Sequence, residues 1–70
     1  MFTIDTAPAK FSTFAQAADC AVKHAQQRGE AIIRTARAGH LLADFRRMDD
    51  GTVSIVGVGN GKEMIEEWAR

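Results

Sequence analysis

The stretch "HLLADFRRMDDGTVSIV", residues 40–56, decides the fold because it holds two apolar-polar alternating runs around a strong turn signal. Such runs on either side of Asp-Asp-Gly predict a β-hairpin. A two-residue turn would set Phe45 beside Val56, whereas a three-residue loop ending at a left-handed Gly51 pairs Phe45 with Ile55. We predict the three-residue loop, because it gathers the apolar side chains on one face and a one-residue slip would reverse them.

The hairpin belongs to a predicted three-stranded meander made of AIIRTAR, HLLADFRRM and TVSIVGV. A turn at residues 38–40 would place Ile33 opposite Phe45, and Arg34 opposite Asp44 as a cross-strand pair worth about 0.2–1 kcal/mol. The alternation then defines two faces of the sheet. The predicted core face contains Ile33, Leu41, Ala43, Phe45, Val53 and Ile55. The predicted outer face contains Ile32, Arg34, Ala36, Leu42, Asp44, Arg46, Val56 and Val58.

The main predicted helix precedes the meander. Ser12 or Thr13 is a suitable N-cap, and Gly29 is a suitable left-handed stop. Between them the apolar residues recur at three- and four-residue spacing, which forms one stripe. The members of this stripe are Phe14, Ala17, Ala18, Ala21, Val22 and Ala25.

The two ends of the chain complete the predicted order. Residues 2–5 alternate like a short strand, which Pro8 should end because proline cannot donate to a ladder. Asn60 and Glu63 form a variant capping box for a short helix over residues 61–69. The sequence therefore predicts an α+β fold in the order β-α-β-β-β-α, with a small, mostly antiparallel sheet packed on one main helix.

Length and charge limit the function. Seventy residues with no linker or repeat indicate one domain over residues 1–70. The net charge is zero, but residues 23–47 carry six basic and two acidic residues, while residues 48–70 carry two basic and five acidic ones. This polarity favours a complementary partner over a nucleic-acid scaffold, which is usually basic overall.

Cysteine usage and hydropathy bear on location. The single cysteine excludes an internal disulfide and suits a reducing compartment. No apolar run reaches the roughly 20 residues needed to span a bilayer, and the first residues lack the pattern of a signal peptide. We therefore expect a cytoplasmic protein with no membrane partner.

Three patterns resemble chemical sites, and we expect each to be structural. GVGNGK, residues 57–62, fails the phosphate-loop pattern because Glu63 stands where Ser or Thr is required. Cys20 and His24 share one side of the helix, but a nucleophilic pair also needs a third group to orient the base. The acidic residues suit a turn and a helix start rather than a catalytic set. We expect neither enzyme activity nor a cofactor or metal.

The predicted outer face is the informative feature, because apolar residues on it should be covered by something. The C-terminal helix, with Met64, Ile65 and Trp68, could cover this face, and so could a second copy or another protein. We therefore expect a non-catalytic protein-binding module, an adaptor or inhibitor, with a homodimer as one option for its assembly. The expected contact residues are Arg34, Leu42, Asp44, Arg46, Val56 and Trp68.

Two further expectations concern the kind of partner. Small, cysteine-poor proteins of this build are common among phage and mobile-element accessory proteins, including inhibitors of host CRISPR defence. The alternative function is weak nucleic-acid binding by the arginines of the meander, through phosphate attraction. That alternative is less favoured, since base stacking needs exposed aromatic residues and Phe45 is expected to face inward.

Overall fold

The fold is a five-stranded antiparallel sheet with two helices, as given by a computed structural model that describes residues 1–70. The strands are β1 (Phe2–Ile4), β2 (Ala7–Phe11), β3 (Glu30–Thr35), β4 (Leu41–Arg47) and β5 (Val53–Gly57). The helices are α1 (Phe14–Arg28) and α2 (Gly61–Trp68). The strands lie side by side in the order β2-β1-β3-β4-β5. The predicted α+β class is confirmed.

One strand was missed by the sequence analysis. The segment around Pro8 turns back and pairs with β1 as β2, so the element order is β-β-α-β-β-β-α. The first strand does end before Pro8, as predicted, but the strand that contains Pro8 was not predicted; it is possible because β2 lies at the edge of the sheet. A proline is tolerated there, where one side of the strand needs no backbone donor.

Helix α1 covers the centre of the sheet. The Thr13 side chain accepts a hydrogen bond from the Gln16 amide at 3.2 Å, and Gly29 ends the helix with φ of 100°. The apolar stripe is buried as predicted, apart from Val22, which is half-buried. Its four buried alanines have no bulk to hold the helix away from the sheet. They pack around Ile33 and Phe45, the largest fully buried side chains.

The β4–β5 hairpin has the predicted register. Phe45 lies opposite Ile55, and Arg47 lies opposite Val53. The Met48 amide donates to the Thr52 carbonyl at 2.7 Å, which closes a three-residue loop. Gly51 occupies the left-handed position with φ of 88°. The local turn chemistry was therefore sufficient to set this pair of strands.

The β3–β4 register differs from the prediction. Phe45 lies opposite Ala31 rather than Ile33, and Asp44 lies opposite Ile32 rather than Arg34. A β-bulge follows, because the partner moves from Ala43 to Leu41 within one step of β3. The two leucines of β4 consequently exchange roles. Leu41 is 37% exposed, whereas Leu42 is 4% exposed and belongs to the core.

The bulge coincides with the point where α2 begins. The Leu42 carbonyl accepts from the Val58 amide at 2.9 Å. A Cβ atom at Gly61 would lie 1.7 Å from that carbonyl oxygen, so only glycine permits this approach. The Asn60 side chain makes no capping hydrogen bond, and the predicted capping box is absent, because Asn60 already has helical backbone angles.

Helix α2 packs beside α1, on the same side of the sheet. The Trp68 ring contacts Phe45 edge-on, with centroids 6.0 Å apart, and its Nε1 donates to Asp19 Oδ1 of α1 at 3.0 Å. Of the three coverings considered for the outer face, α2 is therefore excluded. The structure contains no helix long and apolar enough to cross a bilayer.

Replacing Gly61 with alanine should destabilise the protein, because the new Cβ would displace α2 from Leu42. Such overpacking costs about 1–3 kcal/mol, and we expect a net loss of about 2 kcal/mol in urea unfolding. Glu63→Ala, on the exposed side of α2, is the matched control and should change stability by less than about 0.5 kcal/mol. An unchanged midpoint for Gly61→Ala would contradict the close packing of α2.

Candidate interaction surface on the outer sheet face

The outer face, as observed, is the side of the sheet that points away from both helices. The register places its side chains in rows that cross the strands. One row contains Lys10, Thr3, Arg34 and Leu41; the next contains Ile32, Asp44 and Val56; the third contains Glu30, Arg46 and Ser54. No element of the chain covers these rows, because α1 and α2 both pack on the opposite side.

An ion-pair network occupies the third row and the one beside it. Arg46 Nη2 lies 2.8 Å from Glu30 Oε2 and 3.5 Å from Asp44 Oδ2. The Arg46 side chain is 63% exposed, so these pairs contribute little to stability. They do hold the guanidinium in a defined position over the sheet, beside two carboxylates.

Asp44 is the partly buried member of this network. Its Oδ1 atom is buried and has no hydrogen-bond partner. Burial raises the pKa of Asp44 above its ordinary value of 3.8, and the nearby Glu30 charge raises it further, while Arg46 opposes the shift. The ionised form of Asp44 is therefore less favourable in the folded protein than in the unfolded chain.

This shift predicts a pH-dependent difference between the wild type and Asp44→Asn. Because the folded pKa of Asp44 is raised, its stabilising contribution is complete below the unfolded value and is lost as pH rises through the folded value. The wild type should thus lose stability relative to Asp44→Asn as the pH rises above the ordinary pKa of 3.8 and through the raised pKa of the folded protein. Urea unfolding of both proteins across this range checks the sign. A relative gain by the wild type would contradict the burial of Asp44.

The cations of the first row lack acidic partners. Lys10 and Arg34 flank Thr3, and Arg34 Nη1 donates only to the Gly39 carbonyl at 3.3 Å. Arg37 is exposed in the following turn. The outer face therefore has a basic end at this row and a charge-balanced centre around Arg46.

Exposed apolar residues lie among these charges. Val56 is 57% exposed, Met48 is 48% exposed, and Leu41 and Val58 are also exposed. A shallow depression is lined by Asp44, Arg46, Met48, Ser54 and Val56. No aromatic ring lies on the outer face. Phe2 packs edge-on against Phe14, with ring centroids 5.8 Å apart, and the other aromatic rings pack in or against the core beneath the helices.

The six residues expected to contact a partner divide into two groups. Arg34, Asp44, Arg46 and Val56 lie together on the outer face. Leu42 is buried by the bulge, and Trp68 contacts Phe45 and Asp19 on the other side. Leu41 and Met48 were missed as exposed apolar residues. The exposure of Leu41 depends on the bulge, for which the sequence carries no separate signal.

A polar chain links Cys20, His24 and Thr6. Thr6 Oγ1 lies 2.6 Å from His24 Nδ1, and Cys20 Sγ lies 3.5 Å from His24 Nε2. The expectation that no third group orients this imidazole was therefore wrong, because the β1–β2 turn brings Thr6 to it. The two concave regions of the structure lie elsewhere, and neither includes Cys20.

The other concave region lies between the helices. Phe14, Ala15, Met64, Glu67 and Trp68 line an open groove of about 300 Å³. At the start of α2, the Gly61 and Lys62 amides donate to the Val58 and Gly59 carbonyls. These donors are therefore engaged within the tight turn predicted for GVGNGK.

No cluster of histidine, cysteine, aspartate or glutamate side chains has the arrangement of a metal site. The outer face offers an interaction surface of mixed chemistry, with exposed apolar side chains beside Arg46 and its two carboxylate neighbours.

The chain matches no family model, no curated protein and no solved structure.

Proposed function

We propose that the chain is a non-catalytic module that binds another protein through the outer face. The observation that carries this proposal is that both helices pack on one side of the sheet, which leaves the whole opposite side uncovered. Antiparallel sheets commonly have one solvent-exposed face, and that face usually carries polar side chains. Here Leu41, Met48 and Val56 are exposed on or beside that face.

The chemistry of the face supports a protein partner. Arginine and methionine are enriched at protein interfaces, and exposed apolar patches bordered by polar groups mark such sites. Arg46 lies beside Glu30 and Asp44 and is exposed, so this part of the face presents charges of both signs to a partner. The partner surface should be apolar opposite Val56 and should carry charges of both signs around it.

The finer form of the proposal is an adaptor or inhibitor that acts in the cytoplasm. Its support is the chain length and the single free cysteine, which suits a reducing compartment. A phage accessory protein that inhibits host CRISPR defence is one protein of this kind. Affinity capture from the native host, compared between variants, identifies the partner.

Val56→Glu should abolish capture of the partner without unfolding the chain. Val56 is 57% exposed, so the substitution leaves the core intact while placing an unpaired charge in the interface. Arg46→Ala should weaken binding by at least about tenfold, as loss of an interface arginine often does. Gln27→Glu, on the exposed side of α1, is the control and should capture the same protein as the wild type. Equal capture by all variants would contradict the proposal.

Nucleic-acid binding is the second candidate, favoured by the unpaired cations Lys10 and Arg34. The absence of aromatic rings from the outer face removes base stacking and leaves only phosphate attraction. The affinity of any such binding should fall by orders of magnitude between low and moderate salt concentration.

A salt titration with single-stranded RNA and duplex DNA distinguishes the two candidates. We expect no binding to either at about 150 mM salt, since the cations at the basic end of the outer face, Lys10, Arg34 and Arg37, provide few phosphate contacts. Binding that persists there and is lost in a Lys10→Ala, Arg34→Ala double variant would favour the nucleic-acid function instead. Fluorescence anisotropy with labelled oligonucleotides is the measurement.

A further inference from the structure

The two edges of the sheet differ in their protection against pairing with another strand. The β2 edge contains Pro8 and Lys10, and its pairing with β1 is interrupted by a register shift. Proline, lysine and irregular geometry are the usual means of blocking an edge. The β5 edge has the sequence VSIVG, without proline, charge or bulge. It contacts β4, α1 and α2 only.

The hydrogen bonds of the hairpin show which backbone groups are free on β5. The Met48 amide donates to the Thr52 carbonyl, and the Val58 amide donates to the Leu42 carbonyl. Hydrogen-bonded pairs recur at every second residue of an antiparallel ladder. Ser54 and Val56 are therefore the residues of β5 that bond to β4. The amides and carbonyls of Val53, Ile55 and Gly57 point outward along the open edge.

We propose that β5 pairs antiparallel with β5 of a second copy of this chain, about a two-fold axis at Ile55. In this register Ile55 lies opposite the partner's Ile55, and Val53 lies opposite the partner's Gly57. Every outward amide and carbonyl of the three residues then has a partner in the other chain. The two sheets join into one of ten strands. A shift to either side would leave part of this set unpaired.

The side chains fit the same register. Val53 and Ile55 are half-buried on the helix side. Lys62 and Ile65 of α2 lie against Gly57 on that side, so the partner's Val53 would face the start of α2. On the outer face, Ser54 lies opposite the partner's Val56. No charged residue lies on either joined strand, so no like charges meet at the joint.

Charge complementarity extends to the next strands. Asp44 shares a row with Val56, and Arg46 shares a row with Ser54. Because Val56 lies opposite the partner's Ser54, the row of Asp44 continues into the row of the partner's Arg46. Asp44 and the partner's Arg46 are three strand spacings apart, about 14 Å, so this alignment keeps like charges apart without forming an ion pair. The backbone register, which is complementary to itself about Ile55, is what selects a second copy as the occupant of this edge.

The blocked β2 edge makes this assembly close at two chains. Pairing of β5 with β2 would repeat without end and form a filament, as open head-to-tail contacts do. Pro8 and Lys10 oppose that arrangement. The resulting dimer presents two outer faces as one surface, with Val56 of both copies near its centre. The inference goes beyond the proposed function and does not rest on it.

Mass measurement and amide exchange test the proposal together. Between about 10 µM and about 1 mM protein, the mass by sedimentation equilibrium should rise from 7.6 kDa toward twice that value. Amide exchange at Val53, Ile55 and Gly57 should slow over the same range, whereas Ser54 and Val56 should be protected throughout. A constant 7.6 kDa mass with fast exchange at the three outward amides overturns the proposal.

Two variants locate the contact. Ser54→Lys places like charges across the joint, with its side chain pointing away from the core, and should keep the chain monomeric with an unchanged circular dichroism spectrum. Ala9→Lys makes the matched change on β2 and should leave the dimer intact. Ile55→Pro, which removes an outward amide that β4 does not use, should also give a folded monomer. Dimerisation that survives Ser54→Lys, or that only Ala9→Lys abolishes, overturns the β5 assignment.

The outcome is separable from that of the proposed function. A chain that dimerises through β5 and captures no partner supports the edge pairing and contradicts the binding proposal. A chain that stays monomeric and captures a partner through Val56 does the reverse.

Discussion

The packing of α1 against β3 and β4 is the constraint on which the rest of the structure depends. Its buried alanines allow the helix axis to approach the sheet closely, around Ile33 and Phe45. A helix with larger residues at these positions would stand further off and leave voids beside the sheet. Because α1 covers the centre of the helix side of the sheet, α2 packs beside α1, where the Trp68 ring contacts the Phe45 ring edge-on.

This arrangement explains why one face of the sheet remains open. Both helices pack on the same side of the five strands. The opposite side then depends on its own side chains for solubility. Arg46, Glu30 and Asp44 provide charge, yet Val56 and Met48 leave apolar surface between and beside them. The buried Oδ1 atom of Asp44, which has no hydrogen-bond partner, shows that even this exposed face contains a partly desolvated site.

The outer face and the β5 edge are open for the same reason: no helix or strand of the chain lies beyond either of them. Strand β2 carries Pro8, and its pairing with β1 is irregular, so this edge is protected against pairing with another strand. Strand β5 has no element beyond it and no protecting residue. The candidate surfaces therefore meet along β5, where Val56 belongs to the outer face and its neighbours expose free backbone groups.

The sequence by itself determined the features that depend on near neighbours in the chain. The α1 stripe, its Thr13 and Gly29 caps and the Asp-Asp-Gly loop each follow from local backbone preferences, which the printed residues carry directly. The same local alternation placed Arg34, Asp44, Arg46 and Val56 on one face. Strand β2 was not predicted because proline is excluded from central strands and tolerated at edges, and only the assembled sheet makes β2 an edge.

Tertiary structure alone decided the remaining features. The bulge that buries Leu42 and exposes Leu41 occurs where the Leu42 backbone meets Val58 and Gly61, which lie far away in sequence. The position of α2 follows from that contact and from Trp68 on Phe45. An amphipathic helix specifies that one stripe must be buried, but it does not specify which side of the sheet buries it. That choice is made by whole-chain packing, and it is what leaves the outer face uncovered.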